Sequence, residues 1–316
     1  MHLPNFEDEV KDMKQFTIVL AVSIILFGNV AVAAEVIIPL KLIKALPVEG
    51  PENNQPSGLT IFNNTLFTVS DKHDDTIFQI QLMDDKAILL PYIKFKLSEP
   101  ITEKDLDFEG LTTDDEGNFY LISEKGFRIL RVSANGEEVS WVTPSLKPIG
   151  EEEGLFQARG GYIEGIALVG KNQFVVCAER QPRGILEIDI GTTPHQIRAF
   201  KYDKTKVKLP EGRDADFTGL FSEDKTLYAL QRSGSVICKL IHNGQEFEEK
   251  DFWSFEAIVN SEQLRYSDTR FGNAEGLCMD KNRVFVILDN NDDFRYADPN
   301  DRRPLLLIME RPLSSN

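Results

Sequence analysis

With 316 residues the chain has room for one large domain or two small ones, and 51 Asp and Glu against 35 Lys and Arg give a formal charge of −16. So acidic a chain, with no basic run, excludes nucleic acid and anionic lipid as natural partners and suits a protein that binds cations. The three cysteines, Cys177, Cys238 and Cys278, stand far apart in apolar strand patterns. They exclude a disulfide framework and read as buried free thiols.

In chain order, residues 1–12 are polar. From Met13 to Ala34 come one lysine, an apolar stretch from Phe16 to Phe27, and a small-residue end at Ala31-Val32-Ala33-Ala34. That is the pattern of a secretory signal peptide. Its apolar core is shorter than the roughly 20 residues a spanning helix needs. Translation is expected to start at Met13 and the protein to be exported, periplasmic or secreted, with no membrane attachment once the leader is removed. Four acids and two lysines lie in residues 1–34, so residues 35–316 carry −14.

Val36 to Leu46, V-I-I-P-L-K-L-I-K-A-L, reads as a strand with no neighbour in sequence to pair with. A repeat follows. S-G-L-T-I-F-N-N-T-L-F-T-V-S-D begins at Ser57 and returns from Glu109, Glu164, Thr218 and Glu275. The marker glycines, Gly58, Gly110, Gly165, Gly219 and Gly276, are 52, 55, 54 and 57 residues apart. A repeat of that length made only of short strands is the signature of a β-propeller blade. Each blade needs its neighbours to bury its faces, so residues 35–316 form one domain.

The second repeat shows four strands: Phe108–Thr112, Asn118–Ser123, Ile129–Val132 and Glu138–Val142. Asn135-Gly136 makes a hairpin turn, because both residues tolerate positive φ; Asn243-Gly244 repeats the device. The last repeat supplies only three strands, Ala274–Met279, Arg283–Leu288 and Pro304–Glu310. The strand at Val36–Leu46 is expected to complete it and close the ring. The fold expected is an all-β propeller of five four-stranded blades, at about 56 residues each, with six blades as the alternative.

In a propeller, the loop before each innermost strand and the loop after each second strand share one face. Ser57, Glu109, Glu164, Thr218 and Glu275 precede the glycines, so they converge on the mouth of the channel. Glu109, Glu164 and Glu275 together need a counter-charge, because like charges raise one another's pKa. Either a hard cation, Ca²⁺ first, relieves them, or each carboxylate caps backbone N–H groups or pairs with an arginine. Asp71, Glu124, Glu179, Arg232 and Asp289 end the second strands on the same face, and Asp289 is the fourth candidate metal ligand.

Five residues ahead of the first set stand Glu52, Lys104, Arg159, Arg213 and Arg270. With Arg180 and Arg232, the basic members form a candidate rim for a small anionic substrate, since guanidinium forks match phosphate and carboxylate. Pairing within a blade, Arg159 with Glu164 and Arg270 with Glu275, is the alternative. For acid–base work, His73 beside Asp71 is the histidine on this face. No nucleophile elbow, P-loop, zinc-ligand spacing or dinucleotide fingerprint is present.

The motifs Asp107-Phe108-Glu109-Gly110-Leu111, Arg159-Gly160-Gly161-Tyr162-Ile163-Glu164-Gly165 and Asn273-Ala274-Glu275-Gly276-Leu277 resemble those of the exported phytase-like (esterase-like phytase) domain family. They are also similar to the repeats of SdiA-regulated-like and lactonase-type propellers. The resemblance spans most of residues 35–316 and implies a propeller that hydrolyses phosphate or carboxylate esters; the protein is expected to be a monomer. In lactonase-type propellers channel carboxylates hold Ca²⁺. Ser57 and Thr218 depart from the acidic pattern, and the lactonase-type histidine pair has no equivalent. A propeller that binds a ligand or protein without turnover is the second reading.

Overall fold

A computed structural model of the chain describes residues 36–97, 106–202, 205–244, 247–268 and 272–313. The leader expected in residues 1–34, and the rim candidates Lys104 and Arg270, lie outside the described residues.

Two strands come first, β1 (Ile37–Pro39) and β2 (Leu42–Glu49). The first repeat unit is β3 (Pro56–Phe62), β4 (Thr65–Ser70), β5 (Thr76–Leu82) and β6 (Ala87–Lys94). The second is β7 (Phe108–Thr113), β8 (Phe119–Ser123), β9 (Arg128–Val132) and β10 (Val139–Trp141), followed by the short helix α1 (Lys147–Glu152). The third is β11 (Ile163–Gly170), β12 (Gln173–Ala178), β13 (Arg183–Asp189) and β14 (Gln196–Tyr202). The fourth is β15 (Gly219–Glu223), β16 (Thr226–Gln231), β17 (Val236–His242) and β18 (Phe247–Ser254), followed by α2 (Glu256–Val259). The last contributes β19 (Ala274–Met279), β20 (Arg283–Leu288) and β21 (Leu305–Glu310).

Each unit is an antiparallel meander, and β2 lies antiparallel on β21 as the missing outer strand. The closure is more elaborate than the sequence suggests. Val48 and Glu49 at the end of β2 also pair in parallel with Ala87 and Ile88 of β6. The preceding strand β1 adds in parallel to the outer edge of β18. The N-terminal segment thus stitches three units together and covers edges that would otherwise offer unpaired N–H and C=O groups.

The fold is a β-propeller, with five four-stranded units among the described residues. Apolar side chains alternate along the strands and form five clusters, one at each junction between neighbouring sheets. The innermost strands meet at the glycines, where no side chain fits. A Cβ on Gly58 would lie 2.5 Å from Gly110 Cα, and one on Gly276 would lie 2.5 Å from the Ser57 carbonyl oxygen. That crowding plugs the axis. Leu59, Leu111, Ile166, Leu220 and Leu277 leave a void of only about 10 Å³ there, too small to pass a ligand.

The cysteines are free and buried, as expected. In the second repeat the observed strands agree with the expected ones to within two residues. Gly136 and Gly244 adopt φ of +75° and +100° at the hairpin turns.

Candidate functional site

Four of the five innermost strands carry a β-bulge just before or at the marker glycine. The register slips between Pro56 and Leu59, Phe108 and Gly110, Ile163 and Ile166, and Ala274 and Gly276. An extra residue at that point re-aims the side chain before the glycine, as bulges beside functional sites do. Ser57, Glu109, Glu164 and Glu275 are thereby turned into a cavity of about 370 Å³ at the channel mouth. The strand ends Asp71, Glu124, Glu179, Arg232 and Asp289 line the same cavity, so the two sets do share one face. Thr218 instead lies lower, in the plugged channel, and donates to the Ala274 carbonyl at 2.7 Å.

Eight carboxylates line the cavity: Asp71, Asp107, Glu109, Glu124, Glu164, Glu179, Glu275 and Asp289. The cations in its wall are Lys72, Arg180 and Arg232. Burial is the main cause that raises Asp71, Glu109, Glu124, Glu164, Glu275 and Asp289 above the usual carboxylate range. It pushes Glu109 and Glu164 well above the usual carboxylate range, with Asp107 adding to the effect on Glu109, and Glu109 to that on Glu164. Asp289 is pushed up to about 7, first by burial and then by Glu275 and Asp71. Glu275 is raised by burial but held back by the Arg232 guanidinium.

The three hub glutamates have different partners. Glu109 Oε2 accepts from Ser57 Oγ at 2.5 Å. Glu275 Oε1 accepts from Arg232 Nη1 at 2.5 Å. The Glu164 side chain is buried with no hydrogen bond or ion pair among the described residues. Arg232 also grips Glu179, and its Nε is 3.7 Å from Asp216 Oδ2. On the opposite side, Lys125 bridges Asp107 at 2.5 Å and Glu124 at 2.8 Å, while Lys72 pairs with Asp71.

Asp71, Asp107 and Glu109 each offer an oxygen, and the three lie within 4.8 Å of one another. Oxygens bound to one Ca²⁺ at about 2.3–2.6 Å are separated by at most about 5 Å, so the group is the right size for a hard cation. Four buried oxygens in the cavity wall, Gln55 Oε1, Asp71 Oδ1, Glu179 Oε2 and Glu275 Oε2, have no hydrogen-bond partner. Buried polar atoms are rarely left in that state without an ion or water to meet them. The donor set fits a hard divalent cation.

The family whose sequence model matches, over residues 52–292, is described as having the esterase-like activity of phytase. The chain belongs to the Phytase-like family. Among solved structures this Phytase-like propeller is similar to glutaminyl cyclase from Myxococcus xanthus, at 13% identity and a TM-score of 0.52, over 87% of this chain and 97% of that one. It is also similar to the PQQ-bound aldose sugar dehydrogenase from Streptomyces coelicolor, at 13% identity and a TM-score of 0.46, over 86% and 97%. A gluconolactonase from Xanthomonas campestris matches at 11% identity and 0.44, over 86% and 95%. At such identities the first likeness is one of fold. No curated protein sequence matches the Phytase-like chain.

The cavity gathers Asp71, Glu109, Glu164, Glu275, Asp289, Arg180 and Arg232 from the expected site residues and leaves three described ones out. His73 lies outside it: the ring Nε2 is 3.1 Å from the Glu52 carbonyl oxygen, and the ring packs edge-on against Phe78. Arg159 is exposed and forms no pair with Glu164. Arg213 donates to the Ser233 carbonyl at 2.9 Å beside a separate apolar pocket. Arg180 sits at the rim, bound to Glu179 and to the Gly160 carbonyl at 2.7 Å.

Asp107 and Gln55, by contrast, were not singled out from sequence as site residues. Both stand three residues before a marker glycine, a register whose members are Gln55, Asp107, Tyr162, Asp216 and Asn273. In three repeats the carbonyl at this register accepts from the acid that ends the second strand, as in Glu124 to Asp107 at 2.8 Å, Glu179 to Tyr162 at 2.7 Å and Asp289 to Asn273 at 2.8 Å. The signal available in the sequence was the register itself, which holds Gln, Asp, Asp or Asn in four of the five repeats.

Proposed function

We propose that this Phytase-like propeller is a metal-assisted hydrolase of small anionic esters, phosphate or carboxylate, working in the cavity at the channel mouth. The reading is carried by one observation: Asp71, Asp107 and Glu109 converge to within 4.8 Å in a wall that also holds partnerless buried oxygens. When bound there, a divalent cation, Ca²⁺ first, supplies positive charge for an anionic ester and polarises its phosphoryl or carbonyl oxygen. Lys72 and Arg180, on the rim, orient the anionic end of the substrate. Asp289, whose buried carboxyl is pushed up to about 7, delivers a proton to the leaving oxygen. The plugged axis confines substrate to one entrance.

The leader-like residues 13–34 support an exported location. Secretion from a bacterial host followed by N-terminal sequencing is expected to give a mature chain beginning at Glu35. For the activity, calorimetric titration with Ca²⁺ is paired with turnover of p-nitrophenyl phosphate and an aryl carboxylate ester. Calcium-dependent turnover, lost together with binding in Asp71→Asn, is the expected result. Binding without turnover across an ester panel would leave a ligand-binding propeller, and neither binding nor turnover would sink the reading.

A further inference from the structure

The five residues that end the second strands are four acids and one arginine, Arg232. This side chain is almost fully enclosed, 13% exposed, in a nest of carboxylates: Glu179, Glu275 at 2.5 Å and Asp216 at 3.7 Å. Glu164 lies close enough to act on it electrostatically. A guanidinium cannot lose its proton in such surroundings. The arginine therefore acts as a fixed positive charge built into one half of the cavity.

The other half is different. Asp71 and Asp107 meet lysines only from the edges, Glu109 accepts from Ser57, and Asp71 Oδ1 and Gln55 Oε1 are left without partners. The Arg232 half also has unmet oxygens. Glu179 Oε2 and Glu275 Oε2 are buried and partnerless, on side chains 1% and 9% exposed, and the Glu164 carboxylate lies near enough to act on Arg232. As the side chains stand around Arg232, their oxygens do not close to within 4.8 Å of one another as those of Asp71, Asp107 and Glu109 do, and the guanidinium holds the space between them.

We propose that Arg232 is the resident cation of a second, blocked metal position. The cavity then takes a single divalent cation, off the channel axis, on the Asp71–Asp107–Glu109 side. Replacing Arg232 by a neutral residue opens a second position between Glu164, Glu179 and Glu275. The inference rests on the cation reading of the proposed function for its first half, whereas its second half concerns Arg232 alone. The geometry explains why one blade breaks the acidic pattern: the arginine supplies one fixed positive charge to the carboxylates around it without a metal.

The test is Ca²⁺ stoichiometry by calorimetry on the metal-stripped whole protein and on Arg232→Gln and Arg232→Lys. One ion in the wild type, two in Arg232→Gln and one in Arg232→Lys are expected. Two ions in the wild type, or one in both the wild type and Arg232→Gln, would overturn the proposal. No ion in the wild type but one in Arg232→Gln would uphold the blocked position while removing the metal from the proposed function; none in either removes both. Should Arg232→Gln not fold by circular dichroism, single variants of the wild type locate the ion. Asp71→Asn is expected to weaken Ca²⁺ binding more than about 100-fold, and Glu179→Gln or Glu275→Gln by no more than about tenfold, the effect of one more distant charge. The reverse order would refute the assignment.

Discussion

Replacing Asp289 by Asn should make the metal-free protein more stable at neutral pH and change little at pH 4. Its carboxyl ordinarily titrates near 3.8, and in the folded cavity near 7, with burial as the first cause. Between those values the folded state holds a proton that the unfolded state has released, so unfolding free energy falls as pH rises. At about 1.4 kcal/mol per pH unit, the full cost above pH 7 is roughly 4 kcal/mol. Asn keeps the shape, and its oxygen can still accept from the Asn291 N–H, now at 3.0 Å. Glu109, Glu164 and Glu275 are raised too and retain a slope of the same sign in the variant. Surface acids such as Asp280 and Asp301, lowered despite partial burial by their arginine partners, contribute in the opposite sense, and that contribution is lost only as pH falls through the acid range. Urea unfolding in chelator at pH 4, 6 and 8 measures all of this. A wild type whose stability rises steadily from pH 4 to 8, or an Asn variant with an unchanged slope, would refute the reasoning.

Three further outcomes follow from the packing. Gly58→Ala places a methyl 2.5 Å from Gly110 Cα, with only backbone to yield, and should cost about 3 kcal/mol in urea unfolding. Glu249→Ala removes the carboxylate 2.5 Å from the fully buried Arg183 guanidinium and should cost about 3–5 kcal/mol, whereas Glu187→Ala beside exposed Arg198 should cost under about 1 kcal/mol. Burial pushes the Cys177 and Cys238 thiols up to about 12 and raises the Cys278 thiol as well, so a disulfide-exchange dye should find no reactive thiol in the native protein at pH 8 and three in urea.

The repeat was legible because it is periodic: a glycine every 52 to 57 residues, forced by backbone contact at the axis, marks each innermost strand wherever it occurs. Ring closure was legible for the opposite reason, since Val36–Leu46 had strand character and no local partner. What such reasoning misses is any pairing that skips a unit, as β1 does on β18, because nothing in Ile37–Pro39 names its neighbour. The site divides along the same line. Register alone brought Glu109, Glu164 and Glu275 to one cavity, but their partners were set by contacts between repeats: Ser57 from the preceding unit for Glu109, and Arg232 from the preceding unit for Glu275. The alternative that paired Arg159 with Glu164 assumed a contact within a blade, and exposed Arg159 makes none. In a closed ring the nearest groups at the axis come from the adjacent blade. Chemistry at a propeller hub is therefore best read across repeats, one register at a time, and on that rule the lone arginine among four strand-end acids is the position that distinguishes this cavity.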